Sequence, residues 1–131
     1  VVGRSNIVGR PISILMSLRG TIGNSTVTLA HSKTKNLTEL TLKADIIIMA
    51  LGIPEFLKSN MIKKDSTIID VGITRVEDRS KKRGYTIKGD VDFDSVSKKA
   101  KFLTPVPGGV GPMTIAMLLQ NTLDARLAIS S

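Results

Sequence analysis

The sequence predicts an α/β fold, a parallel sheet with helices on both faces. Apolar segments alternate between strand and helix periodicity along the chain. The strongest strand candidate, Asp45 to Ala50, is almost wholly apolar, as in a sheet covered on both sides. Every predicted strand exit but one carries Gly within four residues, and in open α/β sheets ligands bind beyond those exits.

Val1-Val2 reads as the end of a strand, and Gly3 to Gly9 as a turn. Pro11 suits the first turn of a helix, where its missing N–H costs nothing. Ile12, Leu15, Met16 and Arg19 follow helical spacing, and Gly20 is the stop. Thr26 to Ala30 is a short β-rich run after Gly23-Asn24-Ser25. Asn36 or Thr38 caps a short helix carrying Leu40 and Leu42. Asp45 to Ala50 is broken by Leu51-Gly52-Ile53-Pro54, and Thr67 to Val71 is a second buried strand ending at Gly72. Ile73 to Gly89 is the least regular stretch, charged at its centre and closing on a weak strand, Tyr85 to Lys88. Asp92 or Asp94 caps a helix through Lys99, and Phe102 to Thr104 is the last strand. After the Pro/Gly loop 105–111, Pro112 opens a long amphipathic helix to about Ala128, with Met113 and Met117 facing the core.

The chain has 131 residues, enough for one domain and too few for two. At 41% hydrophobic and 23% charged it reads as globular, and its longest apolar run is too short for a membrane helix. With no Cys and one His, disulfides, redox dithiols and transition-metal sites are not expected. The net charge of +8 asks for an anionic partner. Three Phe and one Tyr leave little surface for stacking single-stranded nucleic acid. Lys63-Lys64, Lys81-Lys82-Arg83 and Lys98-Lys99 read as solvated faces and loop tips. Two residues are too few for a central strand, where about five are usual. The chain is therefore expected to be a fragment of a longer protein, marginally stable and association-prone.

The first turn reads G-x-S-x-x-x-G, with Ser5 where a dinucleotide fingerprint carries a second Gly. Its place between strand and helix would aim a helix N-terminus at a pyrophosphate. After the second strand, where an NAD site places a carboxylate for the ribose, this chain has His31-Ser32-Lys33 and no acid before Glu39. Arg4 and Ser32 together suit a 2′-phosphate, which favours NADP. His31 reads as a hydrogen-bonding neighbour, Asp70 as a loop-fixing residue and Asp90 as a cap or ion-pair partner. No paired carboxylates and no nucleophile–base pair are visible. Hydride transfer needs none, since the cofactor carries that reaction.

Gly3-Arg4-Ser5-Asn6-Ile7-Val8-Gly9-Arg10-Pro11 and the string from Thr104 to Thr114, T-P-V-P-G-G-V-G-P-M-T, resemble the two signatures of the bifunctional methylenetetrahydrofolate dehydrogenase/cyclohydrolases. His31 to Asn36 and Asp70-Val71-Gly72-Ile73 match as well, so the resemblance covers essentially the whole chain. It implies a Rossmann-like NADP-binding domain with its first strand truncated. It also implies oxidation of 5,10-methylenetetrahydrofolate with NADP, then hydrolysis to 10-formyltetrahydrofolate, in a cytoplasmic homodimer serving one-carbon metabolism and purine biosynthesis. By the same resemblance Gly3, Arg4 and Ser5 hold the cofactor phosphates, and Arg4 and Ser32 grip the 2′-phosphate. Ile73 lies along the nicotinamide, Gly111 and Thr114 near the cofactor, and Pro107 and Gly108 against the folate. The family's N-terminal catalytic domain, with a Tyr and a Lys four residues apart, has no counterpart here. The chain is thus expected to bind NADP weakly and to supply no catalytic residue of its own. The alternative is a free-standing NADP-binding module without folate chemistry, and a third reading is a basic nucleic-acid binder. Neither a membrane nor a nucleic acid is an expected partner under the first reading.

Overall fold

The structure is a computed structural model that describes residues 1–130. Its centre is a parallel sheet of β1 (Ile46–Met49), β2 (Thr67–Asp70) and β5 (Phe102–Leu103), in that order. Ile47 pairs with Ile68 and Ile68 with Leu103. On the other side of β1, Val2 bridges in parallel to both Met49 and Ala30. The full lateral order is therefore Ala30, Val2, β1, β2, β5, all pointing the same way.

That order places the reversal of strand order at Val2, the topological switch point of a doubly wound sheet. With right-handed crossovers, α1 (Gly9–Ser17) falls on one face and α2 (Leu37–Lys43) on the other. The 3₁₀ turn Ser59–Met61 packs against α2 on that second face. Period 2 then divides the strands. Ile47, Met49 and Ile68 join Leu57, Ile62, Val91 and Val96 in the main core. Ile48 faces the other way and is also buried, as a doubly covered strand requires.

Hydrogen bonds extend the ladder through the first three residues. The Val1 ammonium donates to Thr28 O at 2.9 Å, Ala30 N to Val1 O at 2.8 Å, and Gly3 N to Ala30 O at 2.9 Å. Only Ala30 of the predicted strand 26–30 is paired as a bridge. Before Val1, the two flanking segments border a cavity of about 490 Å³ lined by Val1, Val27, Met16, Leu40 and Ile46, among others. It lies at the strand starts, the sheet end opposite the glycine-rich exits.

Several expectations are corrected. α1 starts at Gly9, which puts Pro11 in its first turn as expected, but it ends at Ser17, short of Arg19 and Gly20. α2 begins directly after Asn36, whose φ of 54° shapes the turn without a side-chain cap bond. α3 (Phe93–Val96) stops short of Lys99; Asp92 caps it, accepting from Ser95 N. The stretch Ile73 to Gly89 contains an antiparallel hairpin, β3 (Thr74–Glu77) with β4 (Tyr85–Lys88). Its seven-residue connection exceeds the two to five residues that usually signal a hairpin. The Arg75 guanidinium lies over the Tyr85 ring at 4.9 Å.

The largest correction concerns α4 (Val110–Ser130), which starts two residues before Pro112. None of its residues is buried, and Met113 and Met117 are 60% and 48% exposed. They are not core residues. Apolar side chains are also not confined to one face: Ile115, Leu118, Leu119, Leu123 and Leu127 share one half of the helix, and Met113 and Met117 lie on the other.

Candidate functional site: the strand-exit edge

All five parallel segments end on one edge of the sheet, and the sequence-predicted site residues follow those ends. Gly3 leaves the central segment with φ of 119°, and a Cβ there would sit 2.2 Å from Ala50 O. Only glycine can pass so close to the neighbouring strand. Gly9 closes the same turn, where a Cβ would lie 1.9 Å from Gly3 O.

Within the turn, the Ser5 hydroxyl oxygen accepts from Val8 N at 3.2 Å and Gly9 N at 3.3 Å, while Ser5 O accepts from Arg10 N at 3.0 Å. The first amides of α1 are therefore already used within the turn. The amides of Arg4, Ser5, Asn6 and Ile7 have no acceptor among the described residues, and these four residues are exposed. Free backbone N–H groups of this kind are available to an anionic ligand. The free donors at this exit thus lie in the turn, while the amides of Gly9 and Arg10 that open α1 are bound within it.

The bond from Gly3 N to Ala30 O sets this turn beside His31 to Thr34. His31 N donates to Thr34 Oγ1 at 2.8 Å, and His31 Nδ1 accepts from Lys33 N at 3.2 Å. The imidazole thereby shapes its own loop, which leaves Ser32 and Lys33 exposed. Arg4, Ser32 and Lys33 are all exposed and follow the two adjacent strand exits at the switch point, a polar and cationic rim.

The next exits are held by two buried carboxylates. Asp90 is fully buried; Leu51 N and Gly52 N donate to its Oδ2 at 2.5 and 3.0 Å, and Ile53 N to its Oδ1 at 2.8 Å. Asp70 is 3% exposed; Gly72 N and Asp90 N donate to its Oδ1 at 2.9 and 3.0 Å, and Val91 N to its Oδ2 at 3.0 Å. Two glycines make room for them. A Cβ on Gly72 would lie 2.3 Å from the Asp90 carboxyl carbon, and one on Gly89 2.0 Å from Asp70 Oδ2. Asp70 fixes its loop as the sequence suggested. Asp90 binds three amides more than thirty residues away, where a local cap or an ion pair was expected. The signal available in the sequence was the pairing of each Asp with a neighbouring Gly at 70–72 and 89–90.

Burial is the main cause that raises the Asp70 carboxyl above its ordinary range; its three amide bonds oppose the shift and the nearby Asp90 charge adds to it. The fold therefore holds the Asp70 proton more tightly than the unfolded chain does. The stability this contributes is complete below about pH 4 and is lost as pH rises through the raised value. Urea titrations of wild type and Asp70→Asn should show the wild type's relative stability falling with pH above about 4 and then levelling. A difference that rises with pH would contradict this account of Asp70.

Ile73 follows Gly72 and is 66% exposed. Thr104 Oγ1 accepts from Asp70 N at 2.8 Å, tying the β5 exit to the β2 exit. Beyond it, Pro107 follows a cis peptide bond and Gly108 has φ of 105°, both exposed. Gly111 and Thr114 lie on the first turn of α4, and the Thr114 hydroxyl donates to Val110 O at 2.9 Å. No hydrogen bond joins Gly111 or Thr114 to the first turn among the described residues. The structure thus brings Gly3, Arg4, Ser5 and Ser32 together, sets Ile73 on the same edge, and leaves Gly111 and Thr114 on an exposed helix. Among the described residues no group of His, Asp and Glu could hold a metal ion.

Residues 1–129 match the family described as tetrahydrofolate dehydrogenase/cyclohydrolase, NAD(P)-binding domain. The chain belongs to that family. A bifunctional protein FolD of Flavobacterium johnsoniae is 72% identical over 126 residues, which cover 96% of this chain and 43% of the relative. Its counterpart in Christiangramia forsetii is 69% identical over 126 residues, with 96% and 42% covered. Among solved structures, the bifunctional enzyme FolD of Campylobacter jejuni shares 50% identity and a TM-score of 0.80, over 94% of this chain and 40% of that one. The Trypanosoma brucei methylenetetrahydrofolate dehydrogenase-cyclohydrolase, solved with NADP cofactor and inhibitor, shares 43% identity and a TM-score of 0.84, over 93% and 40%. The chain spans less than half the length of these relatives. As a family member it has the Rossmann-like parallel architecture described above, and the glycine-rich strand exits form the edge on which such a sheet binds its ligand.

Proposed function

We propose that the strand-exit edge binds NADP and that the chain is the cofactor-binding part of a bifunctional methylenetetrahydrofolate dehydrogenase/cyclohydrolase. The observation that supports this best is the rim of Arg4, Ser32 and Lys33 at the switch point, beside four free amides and with no carboxylate before Glu39. The edge fits a dinucleotide in a second way. At Gly52, Gly108 and Gly111 no atom lies within 4 Å of where a Cβ would be, so backbone borders open space.

In this reading the Gly3-Arg4-Ser5 turn holds the pyrophosphate, with the Ser5 O–H free to donate because its oxygen accepts the turn amides. Arg4 and Ser32 hold the 2′-phosphate, and Ile73 lies along the nicotinamide. Gly111 and Thr114 complete the cofactor contacts, and Pro107 and Gly108 face the folate. When bound, NADP would supply the hydride acceptor for oxidation of 5,10-methylenetetrahydrofolate to the methenyl form. The resulting methenyl form is hydrolysed to 10-formyltetrahydrofolate by residues outside this chain. The 131-residue chain alone then binds NADP and catalyses neither step. The whole protein acts as a homodimer in the cytoplasm, in one-carbon metabolism leading to purines; the exposed apolar side chains of α4 are surface that further protein could bury.

Calorimetric titration tests the cofactor assignment. A charge-assisted hydrogen bond is worth about 1.5–3 kcal/mol, so Arg4→Ala should weaken NADP about 10- to 100-fold. NAD binding should change less than about twofold, since it lacks the phosphate. Ser32→Ala should act in the same direction more weakly. Equal losses for NADP and NAD would remove Arg4 from the 2′-phosphate. Folate-dependent NADP reduction by the chain alone would overturn the assignment of catalysis to residues outside it.

A further inference from the structure

We propose that Asp90 is a positioning residue of the cofactor site, holding Ile53 beside Ile73 so that two exposed isoleucines flank the nicotinamide. This rests on the NADP reading above and extends it to residues not on the polar rim. Ile53 leaves the β1 exit and Ile73 the β2 exit, from neighbouring strands of the sheet. One carboxylate joins them. Ile53 N donates to Asp90 Oδ1 at 2.8 Å, and Gly72, the residue before Ile73, packs so closely on the same carboxyl that a Cβ would overlap it. Asp70 locks the other side of this junction through Gly72 N, Asp90 N and Val91 N.

Six backbone N–H groups thus converge on two buried carboxylates with no cation in the arrangement. Such bonds fix backbone, because each oxygen is satisfied only when the loops stay in place. Yet the side chains they place are turned outward: Ile53 is 48% and Ile73 66% exposed. A buried network that presents two branched apolar side chains to solvent, on the edge where the cofactor enters, suits a flat heteroaromatic ring. Gly52, between Leu51 and Ile53, has φ of 71° and open space at its missing Cβ, which leaves the approach clear.

Two probes separate positioning from mere folding. NADPH carries the nicotinamide; 2′,5′-ADP carries the adenine half and the 2′-phosphate without it. Ile53→Ala, an exposed substitution that leaves the core intact, should weaken NADPH about fivefold and leave 2′,5′-ADP unchanged. Asp90→Asn keeps one acceptor oxygen but turns an amide N–H₂ toward backbone donors. It should weaken NADPH about tenfold, spare 2′,5′-ADP, and speed hydrogen exchange at Leu51, Gly52 and Ile53. If Asp90→Asn does not fold, Ile53→Ala decides alone. Unchanged NADPH affinity in Ile53→Ala, or equal losses for both probes, overturns the proposal. Failure of the wild type to bind either probe would instead defeat the NADP reading on which the proposal rests.

Discussion

Asp90→Ala should destabilise the fold by about 3–5 kcal/mol, as removing one side of a buried charged hydrogen-bond set commonly does. The carboxylate is fully buried and satisfies Leu51 N, Gly52 N and Ile53 N. Alanine leaves three part-buried amides without their acceptor; an unsatisfied donor costs about 1–3 kcal/mol when fully buried and less where water reaches it. Relief from burying a negative charge returns part of that sum, which is why the total stays below the simple addition. Against a net stability of about 5–15 kcal/mol for an ordinary domain, the variant should lose a large share of its stability. Urea denaturation followed by circular dichroism measures it. A loss under about 1 kcal/mol, the range of ordinary surface changes, would mean that the three bonds do not hold the loop.

Gly9→Ala should abolish NADP binding and lower the melting temperature together. The added Cβ would sit 1.9 Å from Gly3 O and 2.6 Å from its carbonyl carbon. Both are backbone atoms of the central segment, so no side chain can move aside. The start of α1 must lift away from the strand exit, and overpacking of this kind costs about 1–3 kcal/mol or more. The same shift breaks the bonds from Val8 N and Gly9 N to Ser5 Oγ and with them the turn that carries the free amides. Gly20→Ala is a matched control for the space effect, because nothing lies within 4 Å of its missing Cβ. It should cost some stability through its φ of 149° while leaving NADP affinity intact. Retained NADP binding in folded Gly9→Ala would show that the turn is not the phosphate site.

The parts of the fold legible in the sequence are those written in local patterns. The run of isoleucines at 46–48 announced a strand covered on both faces, and Ile47 and Ile48 are both buried. Glycines at strand ends announced the edge, and the polar rim followed from Arg4 and Ser32. What was not legible depends on contacts distant along the chain. Asp90 reads as an isolated acid until the fold brings Leu51 to Ile53 against it. The hairpin was hidden because its loop, Asp78 to Gly84, lacks a short-turn signature and is held by Asp78 N donating to Gly84 O at 2.9 Å. In α4, apolar content was read as burial, although Met113 and Leu118 point to no core within the described residues. Composition states what a helix could bury and is silent on whether a neighbour is there.

The central claim is that the glycine-rich strand exits, and not the apolar cavity at the strand starts, receive NADP. Mapping amide chemical-shift changes during an NADPH titration of the ¹⁵N-labelled chain tests it most directly. The account predicts the largest shifts at Gly3 to Ile7, Ser32 and Lys33, Gly52 and Ile53, and Ile73, with Val27, Thr28 and Leu40 unmoved. Shifts centred on Val27, Leu40 and Ile46, or none at saturating NADPH, would contradict it.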